Sequence, residues 1–326
     1  MNGSKGGHTE NSPKSVAGGA PLHKVDVVNI TRTFQRGFKA VDGLSFSFSS
    51  GEVVGFVGPN GAGKTTTMRI LATLDVPDSG DVLLDGVSIL DDPALAHRAI
   101  GFMPDELPDR ADTTVEEYLD FFGRAYGLRA RALASAIGAV VDFTGLGDFR
   151  GKTLRELSKG MKQRVSLARA LVHDPQVVIM DEPANGLDPR ARVELRELVR
   201  ALAENGKALL VSSHILSELE EMCTTSVIIE RGRRLSTDFA DDGAWIRLRF
   251  GAASGGDVLA RLLEMPDVRE AEACGAGWRV RVGAGDEAAE RLAQTLFARG
   301  LVPVHFASES GSLESVFMHV TKGSLA

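Results

Sequence analysis

Apolar residues fall along this chain in two rhythms. From Val25 to about Ser236, strand-sized runs alternate with amphipathic stretches, the pattern of a mostly parallel sheet covered by helices. Two alternating runs, 25–30 and 44–48, open this region and suit a small antiparallel sheet. The next run, Val53–Val57, is apolar throughout, as a strand covered on both faces would be. Between about 106 and 173 the period becomes helical. Thr114-x-x-Glu117 has the form of a capping box, and Val115, Tyr118, Leu119, Phe122 and Tyr126 recur at helical spacing, so these aromatics are expected in a helix core.

A polar stretch at 236–243 breaks this rhythm and places a boundary near Asp238. Beyond it the order is strand (245–250), helix (257–264), two strands (268–274 and 278–282), helix (286–299) and strand (302–307), which suits a ferredoxin-like βαββαβ unit. Leu313, Val316, Phe317 and Val320 predict a closing helix over 312–322. The expected organisation is a flexible tail at 1–22, an α/β domain at 23–238 with a helical subdomain at about 106–173, and a small α+β accessory or regulatory domain at 239–326.

Composition narrows the function classes. Hydrophobic residues at 43% and charged residues at 25% are ordinary for a globular protein with a real core. Runs such as Val177–Met180 fall far below the roughly 18 apolar residues that span a bilayer. The first twenty residues lack an apolar signal core, so a cytoplasmic protein is expected. Cys223 and Cys274 are too few for a disulfide framework and lack zinc-site spacing. A net charge of −7 provides no basic footprint, which disfavours nucleic acid as a partner.

Two segments carry chemistry. Val53–Val57 leads into Gly58-Pro59-Asn60-Gly61-Ala62-Gly63-Lys64-Thr65-Thr66, the GxxxxGK[ST] pattern of a phosphate-binding loop. Glycines let the backbone wrap a polyphosphate, and the following helix turns its positive end to that charge. Lys64 is expected on the β- and γ-phosphates and the Thr65 hydroxyl on Mg²⁺. The second segment, Val177–Met180, runs into Asp181 and Glu182. Period-two geometry points the two carboxylates apart, so Asp181 can assist the metal while Glu182 orients or deprotonates the attacking water. A serine and a glycine opening a helix at 158–160 make a further anion-binding helix start.

Leu157-Ser158-Lys159-Gly160-Met161, ahead of 162–171, resembles the signature motif of ABC ATPases. The resemblance implies ATP sandwiched head to tail in a homodimer, with Ser158, Lys159, Gly160 and Met161 contacting the nucleotide of the partner copy. Asn185-Gly186-Leu187-Asp188 resembles the loop at the dimer seam, and His214, at the end of 209–213, resembles the switch histidine that contacts the γ-phosphate. Phe34 falls where the family places an aromatic on adenine, although core packing is an equal reading of that residue. Asp105 stands where most members have glutamine, and its acidity suits magnesium or the attacking water; Lys159 and Met161 also depart from the commonest signature and bear on the rate.

Together with Thr114–Leu119 and the terminus at 313–318, these departures resemble the ABC-2 exporter branch, which includes daunorubicin- and doxorubicin-resistance ATP-binding proteins. The resemblance implies an ATP-hydrolysing subunit, using Mg²⁺ and peripheral on the cytoplasmic face. It would drive export of a drug, antibiotic or other hydrophobic compound through a separately encoded multi-span permease. The alternative is a soluble ABC ATPase of DNA repair or ribosomes, against which stand one loop, one signature and two isolated cysteines. The C-terminal unit can then be a regulatory module or a simple dimer stabiliser.

Overall fold

The computed structural model describes residues 23–107, 112–235, 245–251, 257–275, 277–283 and 286–309. Strands β1 (Lys24–Phe34) and β2 (Phe38–Ser49) form an antiparallel pair in which Val25, Val27, Ile30, Leu44, Phe46 and Phe48 are buried. Their alternation with polar residues keeps one face of the ribbon dry. Strand β3 (Val53–Val57) leaves for a second sheet and leads into helix α1 (Lys64–Leu71). Strands β4 (Ser79–Leu84) and β5 (Val87–Ser88) complete the first sheet in the order β2-β1-β4-β5.

Helix α2 (Pro93–Ala99), capped by Asp92, precedes β6 (Ile100–Met103). Then come α3 (Val115–Ala125), α4 (Ala130–Phe143), α5 (Lys159–Leu171), β7 (Val177–Met180), α6 (Pro189–Glu204), β8 (Ala208–Ser213), α7 (Leu216–Met222), β9 (Thr225–Glu230) and β10 (Arg233–Arg234). The main sheet has the order β10-β9-β3-β8-β7-β6 and is parallel apart from β10. Its central strands are apolar on both sides for a visible reason. Val53, Val57, Val178, Met180, Leu209 and Val211 pack into one core, with α3, α4, α5 and α6. Val54, Phe56, Val177, Ile179, Ala208 and Leu210 pack into the other, with the antiparallel sheet. Period-two geometry thus deals each strand into two cores.

The capping box is present: Thr114 Oγ1 accepts from the Glu117 N–H at 3.2 Å, and Glu117 Oε2 accepts from the Thr114 N–H at 2.8 Å. Val115, Tyr118 and Leu119 are buried, and Phe122 packs edge-on to Tyr118. Tyr126 departs from the expected helix core. It lies past the last turn of α3 and stacks on His173 with ring centroids 3.7 Å apart.

In the C-terminal unit, β11 (Trp245–Phe250), α8 (Val258–Leu263), β12 (Glu270–Cys274), β13 (Gly277–Arg281), α9 (Asp286–Ala298) and β14 (Pro303–Glu309) follow the βαββαβ order. The sheet order β12-β13-β11-β14, antiparallel throughout, is that of a ferredoxin-like fold. Ile246, Leu248 and Val280 face Leu262, Leu292 and Leu296 in its core. The tail at 1–22, the boundary near Asp238 and the closing helix at 312–322 lie outside the described residues.

Among the described residues no helix is long and apolar enough to cross a membrane. Both cysteines are free, and burial pushes the Cys223 thiol up to about 12.

Candidate active site

The phosphate loop is built by close backbone approach. At Gly58 an added Cβ would lie 2.5 Å from the Ile229 carbonyl oxygen; at Gly63, whose φ is +102°, it would lie 2.2 Å from that of Ala40. Only glycine fits these two positions, so the loop turns tightly from the end of β3 into α1. Lys64, 6% exposed, donates from Nζ to the Gly58 carbonyl at 2.7 Å and lies 3.5 Å from Glu182 Oε1. Its charge and the N-terminus of α1 lie together at the loop, the arrangement that attracts phosphate. Pro59, Asn60, Gly61, Ala62, Thr65 and Thr66 lie in this loop or the first turn of α1, as their spacing requires.

Asp181 and Glu182 follow the end of β7 and diverge, but the pleat of a strand is not the cause. Glu182 has φ +48°, a left-handed conformation that costs a side-chain-bearing residue on the order of 1–3 kcal/mol. The Glu182 N–H donates to Ser212 Oγ at 2.8 Å, and Ser212 Oγ donates to Asp181 Oδ1 at 2.7 Å, so one hydroxyl locks both residues. Sequence reasoning missed Ser212. The available signal was the pair Ser212 and Ser213 closing the apolar run 208–211 of β8, whose residues are all buried.

Asp181 is 3% exposed, and burial holds its carboxyl above the usual carboxylate range. The charges of Glu182 and Asp105 act in the same direction, against hydrogen bonds from Ser212 and Thr65. A hydroxyl beside a buried carboxylate is the hard oxygen set that Mg²⁺ takes together with phosphate and water. No group of three or more His, Cys, Asp or Glu able to hold a metal occurs among the described residues. The Thr65 hydroxyl on buried Asp181 fits an ion shared with a polyphosphate.

Glu182, 13% exposed at its side chain, also meets His214 just past β8. His214 Nδ1 lies 2.7 Å from Glu182 Oε2, and the His214 N–H donates to the same oxygen at 3.2 Å. The loop after β3 and the ends of β7 and β8 thus bring Lys64 and His214 onto Glu182. Asp105 sits beyond β6. Its Oδ1 accepts from Asn185 Nδ2 at 3.1 Å, and its carbonyl accepts from Gln163 Nε2 of α5 at 3.0 Å. The residue that departs from the expected glutamine thereby ties the loop at 185–188 to the helix after the signature.

Ser158 caps α5, its Oγ accepting from the Met161 N–H at 3.3 Å. Gly160 opens the first turn against Leu187 and Ala191, and Met161 packs on the core. An added Cβ at Gly186 would come within 2.3 Å of Lys159 Nζ, so that ammonium rests on the loop. Asp188 caps α6 through the Ala191 N–H at 2.9 Å. Phe34 is 42% exposed, beneath the Arg32 guanidinium at 5.2 Å, and is absent from the core. Of its two readings, core packing is the one this position excludes.

A phosphate loop, an acidic strand end, a histidine strand end and a capped signature helix on one such sheet define a phosphate-loop ATPase of the ABC type. Comparison with known proteins agrees. The family described as "ABC transporter" matches residues 41–185. The Nod factor export ATP-binding protein I of Burkholderia lata is 40% identical over 217 residues, 66% of this chain and 71% of that protein. Its counterpart in Mesorhizobium japonicum is 38% identical over 230 residues, 70% of this chain and 67% of that protein. A structure titled as the ATP binding subunit of an ABC transporter superposes with a TM-score of 0.59 at 29% identity, over 66% of this chain and 90% of that one. A dimeric bacterial ABC transporter cassette, 23% identical, shares the fold with a TM-score of 0.60, over 65% of this chain and 97% of that one. The chain belongs to the ABC transporter family, as an ATP-binding subunit that hydrolyses ATP.

Proposed function

We propose that this chain is the ATPase of an exporter, closing head to tail with a second copy around two ATP molecules and driving a separately encoded multi-span permease from the cytoplasmic face. The observation that carries the reading is the convergence of Lys64, at the start of α1, and His214, just past β8, on the two carboxylate oxygens of Glu182, just past β7. Lys64 and the N–H groups of 58–66 bind the β- and γ-phosphates. Glu182 orients the attacking water and accepts its proton, while His214 holds Glu182 and faces the γ-phosphate. Thr65, Asp181 and Asp105 hold Mg²⁺, which neutralises charge on the phosphates when bound. Phe34 stacks on adenine. Ser158, Lys159, Gly160 and Met161 contact the ATP held by the other copy, with Asp188 at the seam.

Domain roles follow the same reading: residues 23–238 hydrolyse ATP, the surface near the Asp105 loop and the helix within 106–126 transmits closure to the permease, and 239–326 form an accessory domain. Export is supported by the names of the relatives, which are Nod factor export ATP-binding proteins. The signature and the Asp105 substitution favour the drug and antibiotic branch for the exported compound. The test is to tag Glu182→Gln, trap it with ATP and Mg²⁺ in native membranes, and identify by mass spectrometry what co-purifies in mild detergent. A multi-span membrane protein in about equal amount supports the reading; ribosomes or soluble protein alone contradict it.

A further inference from the structure

Helix α7 begins two residues after His214 and carries a carboxylate that the reaction as described does not use. Glu218 is 10% exposed at its side chain; its Oε2 accepts a hydrogen bond, while its buried Oε1 is ion-paired without one. Oε2 accepts from the hydroxyl of Ser213, the residue before His214, at 3.2 Å. Oε1 lies 2.8 Å from NH1 of Arg192 on α6. The same guanidinium donates from Nε to the carbonyl of Leu187, in the loop at 185–188, at 3.1 Å. The Ser213 hydroxyl also accepts from the Ile215 N–H at 3.0 Å, which fixes the turn that carries His214.

A carboxylate this buried is costly unless it is paired, and removing one partner leaves it uncompensated. Arginine is suited to its place here because its guanidinium sets charge beside the carboxylate while its Nε–H donates to the carbonyl; a lysine can supply the charge but not hold the carbonyl as well. We propose that Glu218 and Arg192 are positioning residues for hydrolysis, a rigid relay from the Leu187 carbonyl through Arg192, Glu218 and Ser213 to the backbone of His214. Movement of the seam loop is then transmitted to the histidine that holds Glu182. Closure of the dimer and readiness of the γ-phosphate site become one event, a coupling that rests on the roles given above to Glu182 and His214.

The test uses full-length Arg192→Lys, Glu218→Gln and Ser213→Ala, with steady-state ATPase measured against ATP concentration and a melting curve for each. A misplaced catalytic group costs on the order of ten- to a hundredfold, so kcat falls by that factor in each folded variant while KM for ATP stays within about twofold. Because the residues act as one relay, the Arg192→Lys/Glu218→Gln double variant loses no more kcat than the worse single variant. Wild-type kcat in the folded variants, or losses that multiply in the double variant, overturn the relay. Arg192 is 38% exposed at its side chain, so Arg192→Lys keeps the test open if Glu218→Gln does not fold. Glu182→Gln serves as the control. If it is inactive while the relay variants keep full activity, only the relay fails; if it turns over like the wild type, the reading of the site fails first.

Discussion

Oε2 of Glu182 receives two groups of one residue: the backbone N–H of His214 at 3.2 Å and its ring Nδ1 at 2.7 Å. An ionised carboxylate only accepts, so Nδ1–H donates in this contact. The histidine is oriented by the group it serves, from a strand end 32 residues away. Replacing Glu182 by glutamine preserves shape and removes the basic oxygen. ATP hydrolysis is expected to fall by on the order of 10²–10⁴, the usual contribution of a general base, with ATP binding retained. Steady-state phosphate release and nucleotide titration measure the two separately.

His214→Ala removes the ring but leaves the backbone contact. Turnover is expected to fall by on the order of 10²-fold, with a smaller change in KM, as for loss of a group that acts mainly in the transition state. A KM effect without a kcat effect would reassign His214 to ground-state binding.

Gly63→Ala tests the architecture of the loop. The new methyl would meet the Ala40 carbonyl at 2.2 Å in a backbone at φ +102°. The strain is on the order of 1–3 kcal/mol, and the loop must move to relieve it. A lower melting temperature and weakened ATP binding are expected together; unchanged ATP affinity would show that the loop tolerates the shift.

His173 gives the fold a pH dependence. Burial holds its pKa at about 4, against an ordinary value of 6.5, where it stacks under Tyr126 and its Nε2 lies 3.3 Å from the Ile100 carbonyl oxygen. Between those two values the unfolded chain binds a proton that the folded chain does not. Stability contributed by the neutral ring is therefore present above about pH 6.5 and declines as pH falls towards 4, by up to about 1.4 kcal/mol per pH unit. Denaturant unfolding at pH 7 and pH 5 measures the slope, and His173→Phe, which keeps a ring against Tyr126, is expected to flatten it.

The fold was legible where periodicity and burial coincide. Val53–Val57 and Val177–Met180 are apolar at every position because each is covered on both faces, and the βαββαβ rhythm of 245–309 matches its sheet order. The phosphate loop was legible because strand, glycines, lysine and helix are contiguous. Contacts across the chain were not. Asp105 meets Asn185 over 80 residues, and no local pattern records such a pairing. The divergence of Asp181 and Glu182 was anticipated on the wrong ground, since a left-handed residue pinned by Ser212 produces it. Tyr126 kept helical spacing one residue too long, past the end of α3, where stacking on His173 decides its place.

The central claim is that ATP joins two copies of this chain through the loop of one and the signature of the other. Sedimentation of purified Glu182→Gln with ATP and Mg²⁺, beside the same protein with ADP and beside a Ser158→Arg/Glu182→Gln variant, tests it most directly. The account predicts a dimer with ATP, a monomer with ADP, and a monomer under both conditions once Ser158 is replaced. A monomer of Glu182→Gln saturated with ATP, or a dimer indifferent to both nucleotide and Ser158, would contradict it.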